Sequence, residues 1–245
     1  MEHRLAGRRV VVTGGSAGIG RATAELAVAA GAQVACMARD PARLEEVAGE
    51  IGALAVPADV LDQAGVARAL EQVADAFGGI DGLVNSAGDY RPGPVGESTL
   101  DDWRHMFEVN VLGLLNVTKE AMPHLKAQER SDIVNVSSMG GRRVGRIEAT
   151  IYSGTKFAVH ALSEGLRREL FDEGVRVSVI APGAVATQFG LAEAPPEEVE
   201  RILDRRARIG LGAEHVADQV IHVLSQPAEV TIQEIALTST SQPPG

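Results

Sequence analysis

The chain has 245 residues, 33 acidic and 23 basic side chains, and a formal charge of −10. That balance argues against nucleic acid or an anionic membrane surface as partner, and the length suffices to bury a core without metal or disulfide. The single cysteine, Cys36, excludes an intramolecular disulfide and a cysteine-built zinc site and predicts a reducing, cytoplasmic setting, while no apolar run has signal-peptide or membrane-spanning length.

In chain order, Arg9–Thr13 reads as a buried strand and Ile19–Ala30 as a helix stopped by Gly31. Gln33–Met37 reads as a strand, and Asp40-Pro41 supplies the cap and first-turn proline of the next helix. Further strands are expected over Ala53–Val56, Ile80–Asn85, Asp132–Ser137, Val175–Ile180 and Val230–Leu237. Further helices are expected over Asp62–Phe77, Leu100–Lys126 (kinked or ended by Pro123), Thr150–Phe171 and Glu214–Leu224. Pro195–Arg208 reads as a loop with helical content and the tail after Ser239 as frayed. Apolar strands alternating with helices imply an α/β fold, a doubly wound parallel sheet covered on both faces, in one domain over residues 1–245.

Between the first strand and first helix lies Thr13-Gly14-Gly15-Ser16-Ala17-Gly18-Ile19-Gly20. A helix start offers unpaired N–H groups and partial positive charge, and glycines let a pyrophosphate approach the backbone. After a strand and before a helix, this run meets the context of a dinucleotide site. Tyr152, one of two tyrosines, stands four residues before Lys156 on a predicted helix face. Ser138 ends the fifth strand and Asn110 lies inside the long helix. The Gly14-x-x-x-Gly18-x-Gly20 spacing, with Asn110, Ser138, Tyr152 and Lys156, resembles the short-chain dehydrogenase/reductase family from about Val10 to Leu237.

The resemblance implies a Rossmann-type fold and hydride transfer between a nicotinamide dinucleotide and a small-molecule alcohol/carbonyl pair. Reduction of a carbonyl leaves an alkoxide that needs a proton. A free tyrosine titrates near pH 10, and a neighbouring ammonium lowers that value. Tyr152 is thus expected as acid in reduction and base in oxidation. By the same resemblance, Lys156 lowers its pKa and holds the nicotinamide ribose, and Ser138 bonds the substrate oxygen. Asn110 is expected to fix Lys156 through a water and a local break in the helix. The Ser138–Tyr152 spacing is one residue longer than the family usually shows, and Ser137 is the lesser alternative.

The family pattern assigns Gly14, Ser16, Gly18, Ile19 and Gly20 to the dinucleotide, Asp59 and the Val60 backbone to the adenine, and Asn85, Ala87 and Gly88 to a close passage of backbone. In Pro182-Gly183-Ala184-Val185-Ala186-Thr187 it gives Pro182, Gly183 and Val185 to the turn and the Thr187 hydroxyl to the carboxamide. Asp40 stands about 20 residues past Gly20, where an acid often holds the ribose of NAD, yet its place before Pro41 suits a cap. Ala38 occupies the family's discriminating acid position, and Arg39 can pair with a 2′-phosphate, so NADP is favoured over NAD. Ala17 stands where the family often has a second basic residue.

Residues 188–210 occupy the family's substrate-lid position, and their many charges read as a solvated face. Arg142, Arg143 and Arg146 could meet a substrate carboxylate, although a surface or subunit contact is the plainer reading. His105, His160 and His215 lack metal-ligand spacing, so no metal is expected. Gln226–Ile235 resembles a branch containing NADP-dependent 3-hydroxy-acid dehydrogenases and clavulanic-acid dehydrogenase, which implies NADP and acid-like substrates. Because enzymes of this resemblance are mostly tetramers or dimers, the resemblance also implies a homotetramer or homodimer. The rival reading is a non-catalytic dinucleotide sensor of the same fold; a sugar-nucleotide epimerase would need a larger segment after Thr187.

Overall fold

The computed structural model describes residues 4–191 and 196–243, the side chains of 196–198 excepted. Strand β1 (Arg9–Thr13) is built on consecutive valines, which the pleat divides: Val10 and Val12 enter one core, Val11 the other. Burial on both faces explains why its sequence is continuously apolar. With β2 (Gln33–Ala38), β3 (Leu54–Pro57), β4 (Gly82–Asn85), β5 (Ser131–Val136), β6 (Val175–Pro182) and β7 (Glu234–Leu237) it forms a seven-stranded parallel sheet, ordered β3-β2-β1-β4-β5-β6-β7. The winding reverses between β1 and β4, and such reversals open a crevice at the carboxyl ends of the strands.

The helices are α1 (Gly18–Ala29), α2 (Pro41–Ile51), α3 (Gln63–Phe77), α4 (Leu100–Phe107), α5 (Leu114–Lys126), α6 (Thr150–Glu169), α7 (Pro196–Ile209) and α8 (Ala213–Leu224). Ala24 and Ala27 of α1 and Val216 and Val220 of α8 share the core with Val10 and Val12. Leu70 of α3, Val117 of α5 and Leu166 of α6 share the other with Val11. Local chemistry sets several boundaries. Asp40 caps α2 by accepting from the Arg43 amide at 3.2 Å, and Gly52 ends it with φ +75°. Thr99 and Asp102 form a capping box at the start of α4.

The long helix expected over Leu100–Lys126 is interrupted by a π-helical segment, Glu108–Gly113. Its wider turn is the anticipated break, and Asn110 lies buried within it. Pro123 does not end α5, which continues to Lys126. Strand β7 starts four residues later than expected. The preceding loop spends its carbonyls on side chains instead: Arg176 donates to Pro227 and Val230, and Ser178 to Ile232 at 2.6 Å. The tail is not frayed at Gln242, whose side-chain oxygen accepts from the Ala184 amide at 2.8 Å.

The amino ends of the strands carry an ionic network. Arg8 bridges Asp81 at 2.6 Å and Asp132 at 2.7 Å, and Arg176 holds Asp132 at 2.7 Å. Asp132 is buried. Among the described residues no helix is long and apolar enough to cross a membrane, and no His/Cys/Asp/Glu cluster suits a metal.

Candidate active site

The glycine turn leaves β1 at the crevice. Gly14 adopts φ +68°, and a Cβ there would stand 3.0 Å from the Ala87 amide. A Cβ on Gly20 would fall 2.3 Å from the Gly14 carbonyl oxygen, so only glycine lets α1 start this close to β1. No side chain caps α1 and its first turn holds no acid. The amino end of this helix therefore keeps its partial positive charge for an anionic ligand. Ser16, Gly18 and Ile19 are partly exposed along this edge. Across it, a Cβ on Gly18 would meet the Thr187 methyl at 3.4 Å, so Thr187 faces the turn. These features fit a dinucleotide pyrophosphate.

The ends of β4 and β5 bring the chemical groups together. Tyr152 and Lys156 lie one turn apart on α6, with the Lys156 Nζ 5.7 Å from the Tyr152 ring centroid. Ser138 Oγ and the Tyr152 ring flank the same glycine, a Cβ on Gly140 falling 3.4 Å from the one and 3.6 Å from the other, and Ser138 Oγ accepts from the Gly140 amide at 3.0 Å. Ser137 is instead buried, donating to the Lys156 carbonyl at 3.3 Å, so Ser138 is the serine presented to the cleft. Asn110 grips Asp89 at both main-chain groups: its Oδ1 accepts from the Asp89 amide at 2.8 Å and its Nδ2 donates to the Asp89 carbonyl at 2.9 Å. Its Nδ2 also donates to Thr155 at 3.1 Å. A Cβ on Gly88 would stand 3.0 Å from Asn110 Oδ1 and 3.8 Å from Lys156 Nζ. Gly88 thus keeps the approach to Lys156 open.

The electrostatics depart from expectation. Burial pushes the Tyr152 phenol above its ordinary value, and the neighbouring Ser138 hydroxyl offsets part of that rise. Burial pushes Lys156 down to about 8. The Lys156 ammonium donates to the Val136 carbonyl at 3.0 Å. It does not draw the phenol into the neutral range here. Desolvation, which opposes phenolate and ammonium alike, is the leading cause of both shifts.

The short chain dehydrogenase family model matches residues 8–197. The chain belongs to the short-chain dehydrogenase/reductase family. An uncharacterized oxidoreductase of Staphylococcus aureus (strain MW2) is 33% identical over 236 residues, covering 95% of this chain and 97% of the relative. Two solved structures superpose over nearly the whole chain. A Burkholderia cenocepacia short chain dehydrogenase in complex with NADP matches with TM-score 0.82 and 32% identity, covering 97% of this chain and 99% of its own. A serine dehydrogenase complexed with NADP+ matches with TM-score 0.88 and 28% identity, covering 96% of each. This short-chain dehydrogenase/reductase is an NAD(P)-dependent oxidoreductase with a Rossmann-type fold.

Around the enzyme's cleft, Arg39 follows β2 and is exposed, with no ion pair among the described residues. Asp40 is engaged as the α2 cap. Asp59 accepts from the Leu61 amide at 3.0 Å, and Val60 is buried with its carbonyl held by Asn116 at 2.7 Å. Asn85 turns into the core, donating to Thr118 and Asn135, so only its backbone lies at the crevice. The Ser86 and Ala87 amides are both tied to Thr13 Oγ1 at 3.1 Å. Pro182 ends β6, Gly183 follows it, and Val185 bridges to Leu211, aiming Thr187 at the glycine turn.

Two aromatic residues beside Tyr152 escaped the sequence reading. Tyr90 meets Tyr152 edge-on at 4.9 Å between ring centroids, and Phe189 lies 6.0 Å from Tyr152. Tyr90 is the chain's other tyrosine, following Asn85–Gly88 by two residues, which was the available signal. Cys36 is buried beneath Gly15, its thiol pushed up to about 11 by burial, and is no nucleophile.

Proposed function

We propose that this enzyme transfers a hydride between NADP(H) and a small-molecule alcohol/carbonyl pair, with Tyr152 as the proton-exchanging group. The observation that carries the reading is the placement of the Ser138 hydroxyl beside the Tyr152 ring, with Lys156 one turn away in the same cleft. The dinucleotide, when bound, supplies or accepts the hydride. Tyr152 hands its proton to the substrate oxygen in reduction and takes it back in oxidation. Ser138 donates to that oxygen as negative charge grows on it. Lys156 lies beside the phenol and would hold the cofactor ribose through its ammonium. Asn110 keeps the Gly88–Asp89 backbone fixed beside Lys156. Gly14, Ser16, Gly18, Ile19 and Gly20 hold the pyrophosphate, Asp59 and Val60 border the adenine, and Thr187 bonds the carboxamide.

Arg39 and the absence of a carboxylate at Ala38 support NADP over NAD. The NADP complexes of the two structural relatives point the same way. Residues 188–210 act as a lid over the substrate, with Glu193 and Pro195 outside the described residues. Phe107, Leu112 and Phe157 expose apolar surface on α4, the π turn and α6, which supports a homodimer or homotetramer. A lone buried thiol supports a cytoplasmic setting.

A panel of aldehydes, ketones and oxo acids, offered with NADPH and with NADH while nicotinamide absorbance is followed, tests the proposal. Faster turnover with NADPH is expected. Tight NADPH binding without turnover of any carbonyl would establish the sensor reading instead.

A further inference from the structure

The charges of α7 do not all face water. Val199, Ile202, Leu203, Arg206 and Ile209 are the partly buried positions of this helix, while Glu200, Arg201, Asp204, Arg205 and Arg208 are exposed. The buried stripe follows the helical repeat, and Arg206 is the one charged member of it among the described residues. An arginine at such a position loses hydration and needs a partner. Arg206 donates through Nη1 to the Thr187 carbonyl at 2.6 Å, and no carboxylate pairs with it among the described residues. Its guanidinium carries five donors, so most of the fork is left over. Burial lowers its pKa, and its charge bears on both Tyr90 and Tyr152. The other cation acting on Tyr90 is Arg146, which has Glu148 at 3.4 Å. Arg142 is likewise engaged, with Glu234 at 3.2 Å.

We propose that Arg206 is the specificity residue of the substrate mouth: its free donors receive a carboxylate carried by the substrate, a few bonds from the carbon that exchanges hydride. A carboxylate matches the planar fork and the single positive charge of the guanidinium, whereas a phosphomonoester brings nearly two charges. The Thr187 carbonyl orients the fork from the cofactor side, and the Tyr90, Tyr152 and Phe189 rings wall the reacting carbon. The reaction is then the reversible oxidation of a hydroxy acid. The carbinol hydrogen leaves as hydride to the oxidised nicotinamide dinucleotide, the hydroxyl proton leaves to Tyr152, and an oxo acid and the reduced dinucleotide result.

The inference rests on the oxidoreductase reading, and the test separates the two. A panel of 2-, 3- and 4-oxo acids is compared with their neutral methyl esters under NADPH and NADH, in the wild type, Arg206→Gln and Arg206→Lys. At least one acid should exceed its ester in kcat/KM by tenfold or more. Arg206→Gln should remove that preference through KM, bringing acid and ester kcat/KM within about threefold of each other, and Arg206→Lys should restore part of it. A second readout needs no variant and no turnover: calorimetric binding of malonate and of malonamide to the wild type saturated with NADP+. Malonate should bind at least tenfold tighter. Esters turned over as well as acids, with malonate no tighter than malonamide, would overturn the role of Arg206 and leave the oxidoreductase reading intact. Turnover of no member of the panel, with malonate bound no tighter than malonamide, would sink both.

Discussion

Replacing Lys156 with methionine should make the protein more stable while removing its activity. Lys156 is 5% exposed and has one hydrogen bond, to the Val136 carbonyl. Its pKa is pushed from 10.5 to about 8 by burial. A base with a lowered folded pKa is held charged at a cost, and that cost is fully present below about pH 8. It fades as pH rises toward the unfolded value of 10.5. The shift corresponds to about 3 kcal/mol. Methionine leaves the Val136 carbonyl without its donor, which takes back about 1 kcal/mol. The net gain at pH 6.5 is about 2 kcal/mol, or roughly 4–8 °C in melting temperature for a chain of this size. Thermal melts followed by circular dichroism at pH 6.5 and at pH 10 read both the gain and its decline. A variant that melts at or below wild type at pH 6.5, or an offset indifferent to pH, would refute the reasoning.

Arg39→Ala should weaken NADPH binding by ~10- to 100-fold and NADH binding by less than about threefold, read by fluorescence titration; equal weakening would return the preference to NAD. Gly20→Ala should raise the Kd for either dinucleotide by more than about tenfold, because its Cβ meets the Gly14 carbonyl, an atom of the turn itself. Asp132→Ala should cost about 3–5 kcal/mol in urea unfolding, since Arg8 and Arg176 lose their shared buried carboxylate. Its kcat at low temperature should stay near wild type, because Asp132 lies at the end of the sheet opposite the cleft.

The parallel sheet was legible because strands buried on both faces write themselves as apolar runs, as in Val10–Val12 and Ile133–Val134. The glycine turn and the Tyr152–Lys156 pair were legible because each is a local pattern, set by a turn or one helical repeat. What escaped depended on long-range packing. Tyr90 and Phe189 reach Tyr152 from separate loops, and only the place of Tyr90 just past Asn85–Gly88 hinted at that meeting. Arg206 looked like one charge in a solvated run until the phase of α7 set it on the inner stripe. Asn85 read as a cleft residue from its motif, yet Thr118 and Asn135 claim its side chain. The phenol–ammonium balance also escaped, because desolvation depends on everything packed around Tyr152 and Lys156 rather than on their spacing.

Hydride transfer by the proposed route requires Tyr152 to carry the proton beside a bound dinucleotide. Tyr152→Phe removes one hydroxyl and keeps the ring that packs on Tyr90. Single-turnover reduction with pre-bound NADPH, using a carbonyl substrate identified for the wild type, should slow by ~10²- to 10⁴-fold, with NADPH affinity within about threefold of wild type. A phenylalanine variant that reduces the same carbonyl at near-normal rate would contradict it.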